Sequence, residues 1–426
     1  MFDAGSIKNT SYKVVLPFYV YAACSFLVAT IFLLTSTEAF KGHYFHPHIL
    51  AITHTMALGW GTMIILGASH QLVPVLIESK LYSNTLAYIS FILAAIGIPL
   101  LVYGFYVFDM RWPAQWGGWL VVMAILAYMI NIAVSMVKSK HESVHAVFVF
   151  TATTWLCFTA ILGLAQVYNF TSILLPESSL HYLTLHAHAG IIGWFLLLII
   201  GVASRLIPMF LISKYSNVRL LWWIYALING ALLIFVILFL YPGREALLFI
   251  PVITVFIAIS LFIYYCYWAY KKRIRKQVDE QVKLSLISVV MLLLPVLFLI
   301  LVIVTLILTS GEQLNLIISY GFIIFFGWIT AIIMGMTFKT LPFIVWNKVY
   351  HHLSGLGKTP SPKDLFNNPV FKIMAIAYLA GFIIFTLGIL FGNSIVLKLG
   401  AIFLLITAVL YNWNVLKVLM HKPIKL

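Results

Sequence analysis

Runs of about 20 apolar residues recur along the whole chain, and they restrict its fold more than any other feature. One of them, LLWWIYALINGALLIFVILFL, directly follows Arg219. Each run is long enough to cross a bilayer as a helix. Of the 426 residues, 63% are hydrophobic and only 9% are charged, whereas roughly a quarter of the residues of a soluble domain are charged. The sequence therefore predicts an all-α integral membrane protein, with the lipid bilayer as its first partner.

The apolar runs predict twelve transmembrane helices. They lie near residues 14–35, 47–77, 82–107, 117–137, 144–168, 181–211, 219–241, 246–270, 284–309, 315–347, 371–392 and 396–416. With a cytoplasmic N-terminus, the loops on that side and the two termini hold 21 of the 26 lysine and arginine residues. The opposite loops hold Lys41, Arg111, Arg244 and Lys398, and Arg205 lies inside a helix. Because this bias sets orientation, both termini are expected in the cytoplasm, across a bacterial-type inner membrane.

The net charge of +15 does not point to a nucleic-acid partner. Most of the basic residues fall in short loops on the predicted cytoplasmic side, and YKKRIRKQ between the eighth and ninth helices is the densest example. Basic segments of this kind lie against anionic lipid headgroups. We therefore expect no nucleic-acid binding.

A repeat of 134 residues runs through the chain. Gly-Trp pairs begin at Gly59, Gly193 and Gly327, and each is followed at fixed spacing by a glycine and then a proline. This register predicts three four-helix units, at approximately 1–140, 141–275 and 276–416, within one membrane domain. Small residues on the second helix of each unit allow the close helix approach that drives packing in lipid.

Histidines occupy equivalent positions on the signature helices of two units. His188 lies 134 residues after His54, and the third equivalent is Phe322; His186 corresponds to Tyr320 in the third unit. Pseudo-threefold symmetry would turn these helices toward a shared interior, near the outer end of the bundle. We therefore expect His188 beside His54, with His186 as an unpaired extra histidine.

These three histidines are the candidate ligands of a metal site. Helical residues two apart point about 200° apart, so His186 and His188 serve either two sites on opposite sides of one helix or a single site through one of them. Imidazole suits iron, copper and zinc, and a histidine inside a membrane is usually functional. With no carboxylate at this depth, the donor set favours one or two haem b groups, with His54 and either His186 or His188 as axial ligands. The other histidine of the pair could bind a second haem or copper.

The stretches HAHAGIIGW…G…LIP and HTMALGWG…GASHQLVP resemble the catalytic subunit of the haem-copper oxidases, above all the C-family cytochrome oxidases and nitric oxide reductases. The resemblance implies twelve helices in three arcs, with haem sites toward the outer side. It also implies a helix-2 histidine that binds the low-spin haem and an H-x-H pair shared between the low-spin and high-spin haems. By this match His54 corresponds to the helix-2 ligand, and His186 and His188 to the pair.

The chain departs from that family at two places. The family carries its H-x-H pair on helix 10, where this chain has Tyr320 and Phe322, and the seventh helix lacks the histidines that hold copper. The resemblance thus implies a haem b protein without the standard haem-copper dinuclear site, acting in respiratory electron transfer or in O₂ or NO binding or reduction. If it is an enzyme, it is an oxidoreductase of the cytochrome oxidase or nitric oxide reductase type. A cytochrome or quinol would donate electrons, and a small accessory subunit or a second copy of the chain could assemble with it.

The sequence leaves open the roles of four further residues and two alternative functions of the protein. His181 shares the helix entrance of the pair, and the phenol of Tyr320 could hydrogen-bond a bound ligand. His70, about 24 Å along the helix from His54, favours a polar contact at the helix end, and Arg205 favours snorkelling or a carbonyl partner over an anion site. The alternative function is a copper transporter or metal-handling protein that uses the same histidines, and a third is an accessory or assembly subunit.

Overall fold

Twelve long helices form the protein in the computed structural model, which describes residues 10–139, 143–241, 243, 245–309, 313–350 and 359–423. In chain order they are α1 (Tyr12–Thr35), α2 (Pro47–Leu76), α3 (Asn84–Tyr106), α4 (Trp112–Val137), α5 (Val144–Tyr168), α6 (Ser179–Phe210), α7 (Val218–Leu240), α8 (Ala246–Lys271), α9 (Glu280–Thr309), α10 (Leu314–Tyr350), α11 (Asn368–Phe391) and α12 (Ser394–Leu419). The chain is 84% helical, and no strand occurs among the described residues. The predicted all-α membrane fold with twelve helices is therefore confirmed.

Local capping signals decide where several helices begin. The side chain of Asn217 accepts a hydrogen bond from the amide of Leu220 at the start of α7, and Asn393 does the same for the first turn of α12. The fourth helix begins at Trp112, five residues before its predicted start, because Pro113 fits its first turn. The predicted bounds thus differ from the observed ones mainly at helix starts that contain polar or proline residues.

The two ends of the bundle can be told apart by contacts among its termini. The Thr10 hydroxyl donates to the carbonyl oxygen of His70 at 2.7 Å, and Tyr350 Oη lies 2.8 Å from His421 Nε2. The start of α1 and the ends of α2, α10 and α12 therefore share one end, which we call the inner end. The side of the membrane that it faces stays a prediction. Arg244 and the predicted junction between residues 140 and 141 lie outside the described residues.

Each signature helix changes from an α-helix to a wider π-helix at the same register. The π segments are Thr55–Thr62 in α2, Ala189–Leu196 in α6 and Ile323–Ile329 in α10, and each begins 134 residues after the previous one. A π turn bonds residue i to i+5, is rare, and is found most often at functional sites. The shared register supports the predicted threefold repeat, whose number and bounds remain a prediction.

Two tryptophans of the Gly-Trp pairs join the signature helices at the centre of the bundle. Trp60 Nε1 donates to Thr330 Oγ1 at 3.1 Å, and Trp194 Nε1 donates to Thr62 Oγ1 at 3.0 Å. The residue equivalent to these threonines in α6 is Leu196, which has no hydroxyl. The hydrogen bonds thus run from α2 to α10 and from α6 to α2, as expected for three related helices around one axis.

The glycines of the repeat allow each signature helix to approach a neighbour closely. A Cβ atom at Gly67 would lie 2.6 Å from Phe18 Cβ on α1, and one at Gly59 would lie 2.7 Å from Ser25 Oγ. A Cβ at Gly193 would lie 2.6 Å from Trp155 on α5. These contacts hold the second helix of a unit against its first helix, so that the opposite side of the signature helix faces the interior.

Candidate functional site

His54 and His186 come together from different helices near the outer end of the bundle. His54 is the last α-helical residue before the π segment of α2, and His186 lies two residues before the equivalent point of α6. Their ring centres are 6.2 Å apart, and their ring planes differ by 25°. No hydrogen bond joins the two rings in this part of the structure. The structure therefore places two imidazoles side by side in a buried site at which a ligand could bind.

The hydrogen bonds of both histidines leave one ring nitrogen free to bind a metal. His54 Nδ1 lies 2.8 Å from the carbonyl oxygen of Leu50, and His186 Nδ1 lies 3.1 Å from that of Thr159 on α5. A carbonyl oxygen can only accept, so each Nδ1 carries the hydrogen, and each Nε2 keeps its lone pair. Histidines that bind metals commonly donate their other ring N–H to a carbonyl in this way.

The two rings line a small apolar cavity of about 160 Å³ that is bounded by α2 to α6. Leu101 and Phe105 of α3, Val121 of α4 and Leu164 of α5 form much of its wall. Gly163 lies directly under the ring of His186, since a Cβ atom there would be 2.7 Å from His186 Cε1. The absence of a side chain at this position lets the imidazole lie flat against α5.

The donor set of this small cavity fits a metal bound by two imidazoles. When two imidazoles share one metal ion through bonds of about 2.0–2.1 Å, their ring centres are on the order of 6 Å apart, close to the separation observed. The volume is below the roughly 300–1,000 Å³ of ordinary ligand pockets. A planar macrocycle would therefore need flexible wall side chains, such as those of Leu101 and Leu164, to rotate outward.

His188 faces a different cavity, on the other side of α6. Its Nδ1 lies 2.8 Å from the carbonyl oxygen of Thr184, and its Nε2 lies 3.3 Å from Tyr320 Oη. Because Nδ1 donates to the carbonyl, the Tyr320 hydroxyl donates to Nε2. Both residues line a large apolar cavity of about 590 Å³, which extends among α6 to α10 and α2. His181 also lines it, with its ring centre 4.9 Å from that of Phe239.

The expected pairing of His188 with His54 is wrong, since His186 is the partner. Repeat symmetry correctly relates the backbone positions of His54 and His188, each the last α-helical residue before a π segment. However, side chains two residues apart on a helix point about 200° apart. The rotation of α6 directs His186 toward α2 and α5, and His188 toward α7 and α10. The pair thus serves two adjacent cavities, one of the two arrangements expected from the sequence.

The corresponding region of α10 is filled by aromatic rings. Phe322 stacks on Phe326 and Phe385, with ring centres 4.9 and 4.6 Å apart, and lies 6.1 Å from Phe382. Tyr320 and Phe322 also line the large cavity, and Tyr320 Oη reaches His188 Nε2. The position at which the resembling family carries its histidine pair therefore presents a phenol and a phenyl ring, with no ring nitrogen.

His70 and Arg205 lie away from both cavities, toward the inner end. His70 is fully buried against Phe18 and Tyr128, at ring-centre distances of 5.4 and 5.3 Å. Neither ring nitrogen of His70 has a hydrogen-bond partner among the described residues, and the polar contact at this helix end is made by its carbonyl oxygen, which accepts from Thr10. Arg205 is exposed on α6, as snorkelling requires.

In two of the three histidines of the outer HYFHPH stretch, His43 and His46, the Nδ1 atom accepts a hydrogen bond and does not donate one. His43 Nδ1 accepts from the amide of Phe45 at 3.0 Å, and His46 Nδ1 accepts from the amide of His48 at 3.2 Å. In the neutral form their hydrogen then lies on Nε2, which leaves no free lone pair for a metal. Among the described residues, no group of three histidine, cysteine or acidic side chains could hold a metal ion.

Sequence reasoning missed the groups that orient the imidazoles. Leu50 and Thr184 precede His54 and His188 by four residues, so helical register could have identified their carbonyl oxygens as acceptors. Nothing in the sequence marks the Thr159 carbonyl or Gly163 on α5, because their role depends on how α5 packs against α6.

Comparison with known proteins identifies solved structures that share this fold. No family model matches the sequence, and no curated protein matches it. Among solved structures, a haem-copper terminal oxidase determined as a dimer by cryo-EM superimposes with a TM-score of 0.70. The match covers 98% of this chain and 86% of that chain, at 10% sequence identity. The chain thus has the twelve-helix fold of a haem-copper oxidase subunit I, and so low an identity shows the fold alone.

Proposed function

We propose that the protein is a membrane-embedded haem b protein in which His54 and His186 are the two axial ligands. The observation that carries the proposal is the 6.2 Å separation of their ring centres, with each Nδ1 bonded to a carbonyl oxygen. The oxidase-like fold supports it, since such chains can hold haem inside the membrane. A bound haem b would supply reversible one-electron chemistry.

The residues of the small cavity would then hold the iron and keep water away from it. The Leu50 and Thr159 carbonyls fix each ring and increase the basicity of each Nε2. With both His54 and His186 bound to the iron, this site would suit electron transfer and not the binding of a gas. The apolar wall formed by Leu101, Phe105 and Leu164 would exclude solvent.

The large cavity is the proposed place for any binding or reduction of O₂ or NO. Its volume of about 590 Å³ lies within the range of ordinary ligand pockets, and His188 could hold a second haem b or a copper ion once Tyr320 moves aside. Apart from His188, the only histidine that lines it is His181, among the residues described. This scarcity supports a protein without the standard haem-copper dinuclear site, and α7 contains no histidine in its sequence.

We also propose a membrane location, an orientation and partners for the protein, all of them from its sequence. The protein would lie in a bacterial-type inner membrane with both termini in the cytoplasm and the histidines toward the outer side. A cytochrome or a quinol would donate electrons. Assembly with a small accessory subunit or with a second copy of the chain belongs to the same proposal, as does any oxidoreductase activity.

Optical spectroscopy of the purified protein tests the haem proposal. We expect a reduced-minus-oxidised difference spectrum with a b-type α-band and a pyridine haemochrome of haem b. His54→Ala and His186→Ala should each remove most of this haem, whereas His181→Ala, the matched control in the other cavity, should retain it. Protein that folds fully but binds no haem when haem is supplied would overturn the proposal.

The competing function is copper handling by the same histidines. Two imidazoles at this separation also suit a single copper ion. Elemental analysis separates the two functions. Stoichiometric copper without iron, lost in His54→Ala, would favour a copper transporter or metal-handling protein, and stoichiometric iron would favour haem.

A further inference from the structure

A group of basic and aromatic side chains lies at the inner end of α6 and α8. We call it the basic cluster, and it comprises Arg205, Trp268, Lys271, Lys272 and Arg273. Two contacts bring its parts together. Ile274 N donates to the carbonyl oxygen of Ile212 at 3.1 Å, and Tyr265 Oη donates to that of Ser204 at 3.0 Å. The basic segment after α8 is thereby held against the end of α6, next to Arg205.

Aromatic rings form the floor of the basic cluster. Lys272 Nζ lies 5.3 Å from the ring centre of Tyr215 and 5.4 Å from that of Trp268, and Lys271 Nζ also lies 5.4 Å from Trp268. The Arg273 guanidinium lies 3.9 Å above the ring of Tyr270. Cation–π contacts of this kind hold several positive charges in place without neutralising them.

Two hydrogen-bond donors of the basic cluster are buried without an acceptor. Neither Trp268 Nε1 nor Arg273 Nε has a partner among the described residues. A buried donor without a partner costs about 1–3 kcal/mol. Snorkelling of lysines from a helix end explains Lys271, but it does not explain two donors that are withdrawn from solvent and left unpaired.

No described carboxylate forms an ion pair with the basic cluster. Within the part of the chain that the structure describes, Asp279 pairs with Arg275 and Lys339, and Glu280 pairs with Lys283. Arg205, Lys272 and Arg273 form no ion pair there. A ligand with negative charge and several acceptor oxygens would satisfy both the unpaired charges and the unpaired donors, and a phosphate group has both properties.

The position of the cluster indicates which phosphate compound binds. Tyr264, Tyr267 and Tyr270 are exposed along the last turns of α8, and tyrosines concentrate at the depth of lipid headgroups. We propose that the basic cluster binds the phosphodiester headgroup of an anionic phospholipid, with its acyl chains along the outside of α8. This site is separate from the histidine cavities and does not depend on haem.

Lipid-dependent stability of the full chain tests this proposal. The purified protein in an uncharged detergent is unfolded thermally with added phosphatidylglycerol or with phosphatidylcholine of the same acyl chains. We expect only phosphatidylglycerol to raise the unfolding midpoint. In a variant with Lys272→Gln and Arg273→Gln, the half-effective lipid concentration should rise by about fivefold for each charge removed, hence roughly 25-fold. Lys398→Gln, at the opposite end of the bundle, should leave it unchanged.

Two further arms decide the identity of the ligand. Inorganic phosphate should neither raise the midpoint nor displace the lipid; a full effect of phosphate alone would overturn the lipid assignment. Native mass spectrometry of the wild-type protein should retain phosphatidylglycerol in preference to phosphatidylcholine, which keeps the test valid if the double variant misfolds. Equal retention of both lipids would contradict the proposal.

Discussion

The ability of a histidine in this protein to bind a metal depends on the partner of its Nδ1 atom. His54, His186 and His188 each place Nδ1 against a carbonyl oxygen, so that the lone pair lies on Nε2, where that of His188 accepts from the Tyr320 hydroxyl. His43 and His46 accept backbone amides at Nδ1 instead. The hydrogen-bond polarity of single residues therefore separates candidate ligands from ordinary polar residues of the outer loop.

Gly163 provides a prediction at this scale. Gly163→Val should reduce the haem content by at least about half, because even its Cβ atom would lie 2.7 Å from His186 Cε1 and displace the ring. The haem-to-protein ratio measures the effect. Gly230→Val on α7 is the matched control, since nothing lies within 4 Å of a Cβ atom there. Equal haem content in both variants would show that the orientation of His186 does not matter.

Tyr320→Phe is a second prediction at the residue scale. It removes the hydroxyl that donates to His188 Nε2 at 3.3 Å in the large cavity. The spectrum of the haem between His54 and His186 should stay unchanged, because Tyr320 does not line the small cavity. Binding of CO to the reduced protein should rise, since a free His188 Nε2 could then hold the iron of a second haem in the large cavity, to which CO would bind. A shifted α-band of the six-coordinate haem would contradict the separation of the two cavities.

At the scale of elements, three π segments occur at the same register of the signature helices. The apolar runs predicted α2, α6 and α10 and their glycines, because length and hydrophobicity are properties of the local sequence. They did not predict the π segments, or the rotation of α6, which depends on how the helices pack together and not on local sequence alone. The sequence therefore identified His54, His186 and His188 but paired the wrong two.

The tryptophan–threonine contacts predict a stability change. Thr330→Val keeps the shape of the side chain but leaves Trp60 Nε1 buried without its acceptor, at a cost of about 1–3 kcal/mol. The thermal unfolding midpoint should fall accordingly. Thr254→Val on α8 is the control, because its exposed hydroxyl bonds only to the preceding turn of its own helix. Equal midpoints of the two variants would indicate that the Trp60 bond does not hold α2 and α10 together.

At the scale of the whole molecule, the histidine cavities lie at the end of the bundle opposite to the basic cluster. The Lys and Arg distribution predicts which side of the membrane each end faces, because this requires only the order of helices and loops, and that orientation stays a prediction. It did not predict how the ends are held together. Asp279, before α9, accepts hydrogen bonds from Arg275 and from Lys339 on α10, so one carboxylate joins two helices at the inner end.

The ion pairs of Asp279 lead us to predict that the stability of the protein depends on pH. Partial burial alone would raise the pKa of Asp279, but the hydrogen bond from Lys339 and the charges of Lys339 and Arg275 outweigh it and hold the pKa below its ordinary value of 3.8. A carboxyl with a depressed folded-state pKa stabilises the fold above the unfolded-state pKa and loses that contribution as the pH falls through the folded-state pKa. The unfolding midpoint should therefore show no loss from this group between pH 7 and about 5.

Asp279→Asn tests the same contact at neutral pH. The variant should lose about 2 kcal/mol of stability, a typical value for hydrogen bonds to a charged group, and should lose the acid-dependent part of the midpoint. Glu38→Gln, which removes an exposed ion pair with Lys41 at the other end, should leave the midpoint unchanged. An Asp279→Asn midpoint equal to that of the wild type at pH 7 would mean that Lys339 and Arg275 do not anchor α10.

The most direct test of the central claim is low-temperature electron paramagnetic resonance of the oxidised protein, applied to the wild type and to single histidine variants. If His54 and His186 share one iron, the wild type and His188→Ala should both give the low-spin signal of a haem with two imidazole ligands. His54→Ala and His186→Ala should each lose it, through a high-spin signal or through loss of haem. The opposite pattern, in which His188→Ala loses the signal and His186→Ala retains it, would contradict the account.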